Sequence, residues 1–535
     1  MKLKEQASKD KLRGGFYTPL SIAKFILRWG LVSTNESEIL EPSCGDGNFI
    51  NALKELELPF DNLTAIEFDE TEYYKARNVA LENTIVLNED FHNFCVNTNR
   101  RFDLVVGNPP YIRYQFFEKE QQELAIQIFN RSGLKYSKLT NAWVSFVVGA
   151  SQLLKETGKI GFVLPAEILQ VSYAKQLRTF LASEFNKINI ISFQKLVFPD
   201  IQQEVVILLC EKDNSNFHRI DHIELYDEEG LERLDLAILD TPQKNVDFHS
   251  NKWTYYFLEQ EEIDFLENIA ETRNISTLGN FAKVEVGITT GANPYFTISR
   301  SIVEEYGLQD YVVPMVGRSV QVQSIRFTIE DWNLNYQNEK IRSSLVTFPQ
   351  VPFDKLNIGG QAYVRFGEDN AVNKGYKTGI RDFWYCVPSL RTSSALFIRR
   401  NNHYPKLIVN EANAYTTDTM HRVSVKEGIS INALVASYYN SLSFAFAEVS
   451  GRSHGGGVLE LMPNEAENIL LPYSVQNENL LQNIDNMMRA GQNIEQILEF
   501  TNQIILRDSY NLTDHEINIA NSIWRKLKNR RLSRN

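Results

Sequence analysis

Cysteine is scarce: only Cys44, Cys95, Cys210 and Cys386 stand in 535 residues, and none belongs to a C-x-x-C pair or a cysteine–histidine group. That scarcity excludes a disulfide framework and gives no support for a zinc site, so a protein of a reducing, cytoplasmic compartment without bound metal is expected. No run of about 18 apolar residues exists. The basic opening, MKLKEQASKDKLRGG, has no apolar region behind it, so neither export nor membrane spanning is expected. Internal repeats and low-complexity tracts are absent. Also missing is any (D/E)-x-K tripeptide, the metal-binding signature of the commonest nuclease fold. What remains is ordinary globular composition, 43% hydrophobic and 23% charged. At this length roughly two to four domains with proper cores are expected.

The net charge of −12 speaks against a polyanionic partner until its distribution is considered. Residues 1–300 carry all of it, whereas 301–535 sum to zero and 371–410 alone carry +6. The carboxyl half is therefore the candidate for polyanion contact. Each such run also has a bland reading as a solvated face.

The first 245 residues alternate short β-rich runs with helical patterns, the rhythm of a sheet covered by helices on both faces. Strands are expected near Ile39-Leu40, Leu63-Ile66, Ile85-Leu87, Leu104-Val106, Ile160-Leu164, Ile188-Ser192 and Val205-Leu209. The last two follow each other without a helix and predict an antiparallel hairpin in an otherwise parallel sheet. Thr18-Pro19 reads as a helix start, with Ile22, Phe25, Ile26 and Trp29 on one face. The acidic stretch 221–250 reads as the exit from this domain, and Trp253 to Ile269 as a helix. The organisation predicted is a catalytic domain over 1–245, a second domain over 246–480 and a helical segment over 481–535.

RFDLVVGNPPYIRY places Asn108-Pro109-Pro110-Tyr111 directly after a buried strand, at the carboxyl edge where doubly wound sheets hold ligands. Two prolines fix the backbone and remove two N–H donors, leaving carbonyls free. An asparagine oxygen and a proline carbonyl can accept both hydrogens of a planar NH2 group while Tyr111 stacks on the ring that bears it. Such paired acceptors favour the pyramidal, nucleophilic amine as positive charge develops on nitrogen. Upstream, ILEPSCGDGNFI runs from a strand into a turn with Gly45 and Gly47, and Glu67 follows 26 positions after Glu41, where a carboxylate suits a ribose diol. The third glycine of the dinucleotide fingerprint is replaced by Ile50, which disfavours a pyrophosphate but not a nucleoside lacking phosphates. Glu41 and Asp46 would favour a positively charged cofactor. S-adenosylmethionine meets both conditions, and Asp90-Phe91 could take its adenine.

In chain order, FYTP (16–19), EPSCGDG (41–47), Glu67, Asp90-Phe91, NPPY (108–111) and VFPD (197–200) resemble the gamma-class amino-methylating DNA methyltransferases of bacterial restriction–modification systems, chiefly the N6-adenine enzymes. The resemblance covers about residues 14–212. It implies an α/β class I S-adenosylmethionine-dependent methyltransferase fold, a mostly parallel seven-stranded sheet with an antiparallel hairpin, plus a C-terminal α+β target-recognition domain. It implies S-adenosylmethionine as methyl donor and an adenine flipped out of double-stranded DNA and methylated at N6. Carried over by residue, Tyr17 and Thr18 clamp the cofactor. Glu41, Ser43, Gly45, Asp46 and Gly47 form its methionine-side loop, Glu67 holds the ribose, and Asp90 with Phe91 the adenine. Asn108 with Pro109 or Pro110 holds the target amine, Tyr111 stacks on the base and Phe198 flanks it.

KVEVGITTGANPYF (283–296) and SGRSHGGGVLELMPNE (450–465) resemble segments of the target-recognition regions of such enzymes. Arg391, Arg399, Arg400, Arg452 and His454 are the candidate DNA contacts there, to phosphate or to guanine edges. Asn-Pro-Pro-Tyr alone does not choose between nucleobase and side-chain amide, since glutamine and ribosomal-RNA methyltransferases share it. N4-cytosine is the other DNA target open to it. The long carboxyl extension favours DNA, and a monomer is expected, with any companion restriction endonuclease acting as a separate protein.

Overall fold

The computed structural model describes residues 17–31, 37–112, 117–137, 140–198, 204–213, 215–246, 252–454 and 456–533. Phe16, Pro199 and Asp200, which belong to two of the motifs above, lie outside them, as does the side chain of His454. The chain forms two compact units, Met1–Gln260 and Glu261–Asn535.

In the first unit, the helix Leu20–Leu31 begins where Pro19 sets φ, with Ile22 and Ala23 donating to the Pro19 carbonyl at 3.1 Å. Ile22, Phe25, Ile26 and Trp29 are all buried, as their spacing requires. They pack on a sheet built from β1 (Glu38–Glu41), β2 (Asn62–Glu67), β3 (Thr84–Asn88), β4 (Phe102–Gly107), β5 (Leu154–Pro165), β6 (Lys187–Phe193) and β7 (Val205–Glu211). Its order is β3-β2-β1-β4-β5-β7-β6, with β7 antiparallel to both neighbours. The strands running through the middle read as continuous Val/Ile/Leu because both faces are covered. The hairpin is present, but its second strand, not its first, is the inner one.

The sheet extends two strands past the expected seven. β8 (Arg219–Leu225) runs parallel to β6, and β9 (Lys244–Asn245) antiparallel to β8. The acidic stretch is thus partly strand and not merely an exit. Ile220, Ile223 and Leu225 are interspersed with charged residues on both faces, and only Ile220 is fully buried, so the stretch reads as polar. The helix expected over Trp253–Ile269 is broken in two. A 3-10 turn, Trp253–Phe257, precedes an α-helix, Gln260–Thr272, because Leu258 takes an extended conformation and is buried with Trp253 and Tyr256.

The second unit is α+β. A five-stranded sheet pairs Ala282–Val286, Met420–Val425, Ala395–Ile398, Leu407–Asn410 and Arg326–Phe327 in that order. A small sheet joins Arg400–Asn401, Val458–Glu460 and Arg452–His454. The helices Leu480–Arg489, Ile494–Asn502 and Asp514–Leu532 lie within this unit.

Arg531, on the last of these helices, is 2% exposed. It pairs with Glu448 at 2.6 Å and donates to the carbonyls of Asn402 and Gly457. Burial raises the pKa of Glu448 and Arg531 opposes that rise. Removing one member of such a pair strands a buried charge. Arg531→Leu should therefore cost about 3 kcal/mol in urea unfolding, with much of it recovered in the double variant Arg531→Met/Glu448→Leu. A single variant as stable as the wild type would refute a structural role for the pair.

Candidate active site

Three strand ends converge at the carboxyl edge of the first unit. β1 ends in Glu41, β2 in Glu67, and β4 runs into Asn108-Pro109-Pro110-Tyr111. β1 lies between β2 and β4, so the two loops after β1 and β4 are neighbours. The Ser43 hydroxyl donates to the Asn108 backbone carbonyl at 3.3 Å and ties them together.

The turn after β1 needs its glycines. Gly45 (φ +54°) and Gly47 (φ +90°) are left-handed, and a Cβ on Gly47 would stand 2.8 Å from Val79 Cγ2 and 3.2 Å from Ala76 Cα. Tyr17 lies against Gly45, 4.0 Å from where a Cβ would be, and its ring is half exposed at 53%. Thr18 is buried, and its carbonyl accepts from Asn48 Nδ2 at 3.1 Å, which fastens the clamp segment to the helix after the turn. Asn48 is a residue the motif reading missed; its position directly after Gly47 is the one signal that could have found it.

Glu41 is 1% exposed, and its Oε2 has no hydrogen-bond partner among the described residues. Burial, then the charges of Glu67 and Asp46, push its pKa well above the ordinary carboxylate range. Asp46 and Glu67 are raised as well, chiefly by burial. Glu67 accepts from the Gly45 amide at 2.9 Å and the Asp69 amide at 2.8 Å, so it is held rigidly across the mouth of the glycine turn. Three carboxylates around the turn, with the nearby Lys75 already paired to Glu72, would repel a phosphate. They fit a nucleoside that carries positive charge, and the orphaned Glu41 oxygen is where such a charge would be most strongly stabilised.

Asp90 caps the helix Phe91–Asn97, accepting from the His92 and Asn93 amides at 2.8 and 3.2 Å and from Gln121 Nε2 at 2.7 Å. Burial alone would raise its pKa, but these bonds and His92 Nδ1 at 3.1 Å outweigh it and hold the carboxylate below its usual range. Gln121 has no local sequence signal, because its contact spans 31 residues. Phe91 is 2% exposed and stacked on Phe146 at 4.8 Å, since the first residue after the cap faces the core.

At the β4 turn Asn108 and Pro110 are half-buried and Pro109 buried. The Tyr111 hydroxyl donates to the Val163 carbonyl on β5 at 3.1 Å, and burial raises its pKa well above the usual phenol value. The ring is thereby fixed in orientation, resting on the core cluster on which Val197 and Phe198 also pack. The Ala142 amide donates to the Ile112 carbonyl at 2.7 Å and anchors the far end of the turn. Arg178, 1% exposed, donates to the Ile168 carbonyl at 2.8 Å and braces the segment after β5; burial lowers its pKa to about 10.

In the second unit the small sheet gathers three of the basic candidates. Arg399 and Arg400 each stand 3.0 Å from Glu460, and Arg452, opposite Glu460 in register, pairs with Glu465 at 2.8 Å. Arg391 lies apart from them, 3.3 Å from Glu285. The backbone of His454 ends one strand of the small sheet. Among the described residues no group of three His, Cys, Asp or Glu side chains could hold a metal ion, and no helix is long and apolar enough to cross a membrane.

The strand order with antiparallel β7, and a glycine turn and acidic residue on adjacent strand ends, define a class I methyltransferase. Two family models match in succession: the Eco57I restriction-modification methylase over residues 22–198, and the C-terminal domain of the Type II methyltransferase M.Eco57I over residues 250–506. The chain belongs to the DNA methyltransferases of bacterial restriction–modification systems. It is similar to the Type II methyltransferase M.AccI of Acinetobacter calcoaceticus, 26% identical over 84% of this chain and 83% of that one. With M.HincII of Haemophilus influenzae it is 29% identical over 42% of this chain and 43% of that one. Among solved structures it is similar to that of a DrdV–DNA complex (13% identity, 90% of this chain and 57% of that one, TM-score 0.49). Another is a class I S-adenosylmethionine-dependent methyltransferase from Listeria monocytogenes (17%, 44% and 80%, TM-score 0.35).

Proposed function

We propose that the chain methylates the exocyclic N6 amine of an adenine flipped out of double-stranded DNA, with S-adenosylmethionine as donor. The observation that carries this reading is the hydrogen bond from Ser43 to Asn108: it holds an acidic, phosphate-averse turn beside a turn that two prolines make rigid. Bound there, S-adenosylmethionine supplies an electrophilic methyl group on a positively charged sulfur.

Tyr17 and Thr18 cover the donor from the amino-terminal side. Glu41 and Asp46, beside the Gly45–Gly47 turn, hold its charged methionine end, Glu67 its ribose and Asp90 with Phe91 its adenine. The Asn108 side-chain oxygen and the Pro109 or Pro110 carbonyl accept the two hydrogens of the target amine. As nitrogen turns pyramidal and gains positive charge, those two dipoles stabilise it without having to reorganise. Tyr111, its hydroxyl tied to Val163, presents a ring face to the extruded base, with Phe198 against it. Unpairing costs a few kcal/mol, which stacking and backbone contacts offset. No residue has to act as a strong base, because the product ammonium loses its proton readily. Arg391, Arg399, Arg400, Arg452 and His454 are assigned to the duplex. The carboxylate partners of the four arginines must yield to phosphate or share the cation with it. A single chain suffices for this chemistry, and any restriction endonuclease of the system would act separately.

Modification-sensitive sequencing of DNA from a methylation-free host expressing the chain should show N6-methyladenine at one short motif. N4-methylcytosine would overturn the adenine assignment while keeping the acceptor geometry, and unmodified DNA would overturn both.

A further inference from the structure

The basic residues that motif reading picks out in the second unit are already engaged. Arg391, Arg399, Arg400 and Arg452 each face a carboxylate at 2.8 to 3.3 Å. A different segment of the same unit carries cations that are not. Lys374 and Lys377 are exposed and make no ion pair or side-chain hydrogen bond among the described residues. Between and beside them stand Tyr376, 87% exposed, and Ile380, 75% exposed. From Asn370 to Arg381 there is no acidic residue.

The tip is exposed without being loose. Thr378, wholly buried, donates to the Val372 carbonyl at 2.5 Å and lies 3.1 Å from that of Gly375. The Gly379 amide donates to the Gly375 carbonyl at 2.7 Å, which turns the chain back tightly. Arg381 donates to the Thr290 and Cys386 carbonyls at 2.6 and 3.2 Å, and its guanidinium covers the Phe296 ring at 5.7 Å. Gly291, with φ +80°, lets the loop sit so close that a Cβ there would be 2.9 Å from Lys377 Cβ. Anchored in this way, the loop has little conformational entropy left to lose on binding. It also holds a tyrosine and an isoleucine in water, beside the two lysines.

Resting on the assignment of duplex DNA as substrate, we propose that the 374–380 loop is a DNA-contacting wedge. Lys374 and Lys377 take phosphates on either side, and Tyr376 and Ile380 enter the groove against base edges or a disrupted stack. Unpaired cations flanking exposed apolar tips are complementary to a duplex, which offers phosphates at its rim and stacked rings between them. An apolar protein partner would have no use for the two lysines.

The test is fluorescence anisotropy of the full chain with a short labelled duplex of mixed sequence over a salt series. Lys374→Ala/Lys377→Ala should reduce the steepness of log K against log salt by about two, one per phosphate released. Tyr376→Ala/Ile380→Ala should weaken binding roughly tenfold at unchanged salt slope. Both pairs should melt with the wild type and bind S-adenosylmethionine normally in calorimetry. Lys374→Glu/Lys377→Glu should flatten the slope further and provides a second reading of the same contacts. Wild-type slope and affinity in all three variants would overturn the wedge and leave the DNA assignment standing. If the wild-type chain itself bound no duplex, the assignment on which the wedge rests would fall.

Discussion

Asn108→Ala should lower the rate of methyl transfer to DNA by roughly a thousandfold, the loss typical of deleting one preorganised dipole aimed at developing charge. The backbone is not expected to move, because Pro109 and Pro110 fix it on one side and the Ala142–Ile112 hydrogen bond holds the other. Ser43 bonds to the Asn108 backbone carbonyl, not to its side chain, so the donor turn should also be untouched. Donor affinity by calorimetry should therefore stay within about twofold, whereas a tritiated-methyl assay should show the collapse in turnover. Asn108→Ser, which keeps an acceptor on a shorter arm, should recover part of the rate. Full activity in the alanine variant would remove the amine-holding role.

Glu41→Gln should weaken S-adenosylmethionine binding by about 3 to 4 kcal/mol, several hundredfold, as expected when a buried charge loses its opposite. It should do so while making the donor-free protein more stable, not less. Folding raises the pKa of Glu41 above its unfolded value, through burial first and the neighbouring carboxylates second. The folded state therefore binds the proton more tightly. Its contribution to stability is complete below the unfolded pKa and is lost as pH rises through the elevated folded value. Urea midpoints measured from the acid side upward should show the wild type falling relative to the glutamine variant, with the gap widest at the alkaline end. Donor binding reverses the preference, since a cationic ligand favours the ionised carboxylate. Calorimetry in buffers of different ionisation enthalpy should thus detect proton release that the variant lacks. Parallel pH profiles for the two proteins would show that Glu41 does not titrate in this way.

Much of the first unit was legible in the sequence. All seven strand cores expected there lie within β1 to β7, because each is a short apolar run bounded by turn residues, a pattern that β3 keeps at the sheet edge although Ile85 is exposed. β8 escaped because its few apolar residues are interspersed with charge and its acids resemble a linker. The position of β7 between β5 and β6 could not be read from adjacency in the chain, which predicts hairpin order but not which strand faces inward. At the site, Gly45, Gly47, Glu41 and Asn108 were legible because turn geometry and chemistry demand those residue types at those points. Gln121 on Asp90 and Arg178 behind β5 were not, because a single long-range hydrogen bond leaves no periodicity. In the second unit the arginines stood out by composition. Their carboxylate partners are brought in by sheet register and tertiary packing, so the difference between an occupied cation and an available one emerges only on folding.

The insertion of β7 into the middle of the sheet also bears on biosynthesis. A nascent chain that has emerged only as far as β6 presents β5 with an open edge: the neighbour destined for it, Val205–Glu211, is still in the ribosome. Pairing β6 directly onto β5 in the interval would be a ready error, and undoing it would delay maturation. Fragments truncated ahead of Val205 should accordingly precipitate or recruit chaperones, whereas those extending past Leu225 should stay in solution. That interval would set the earliest moment at which a folded first unit can form.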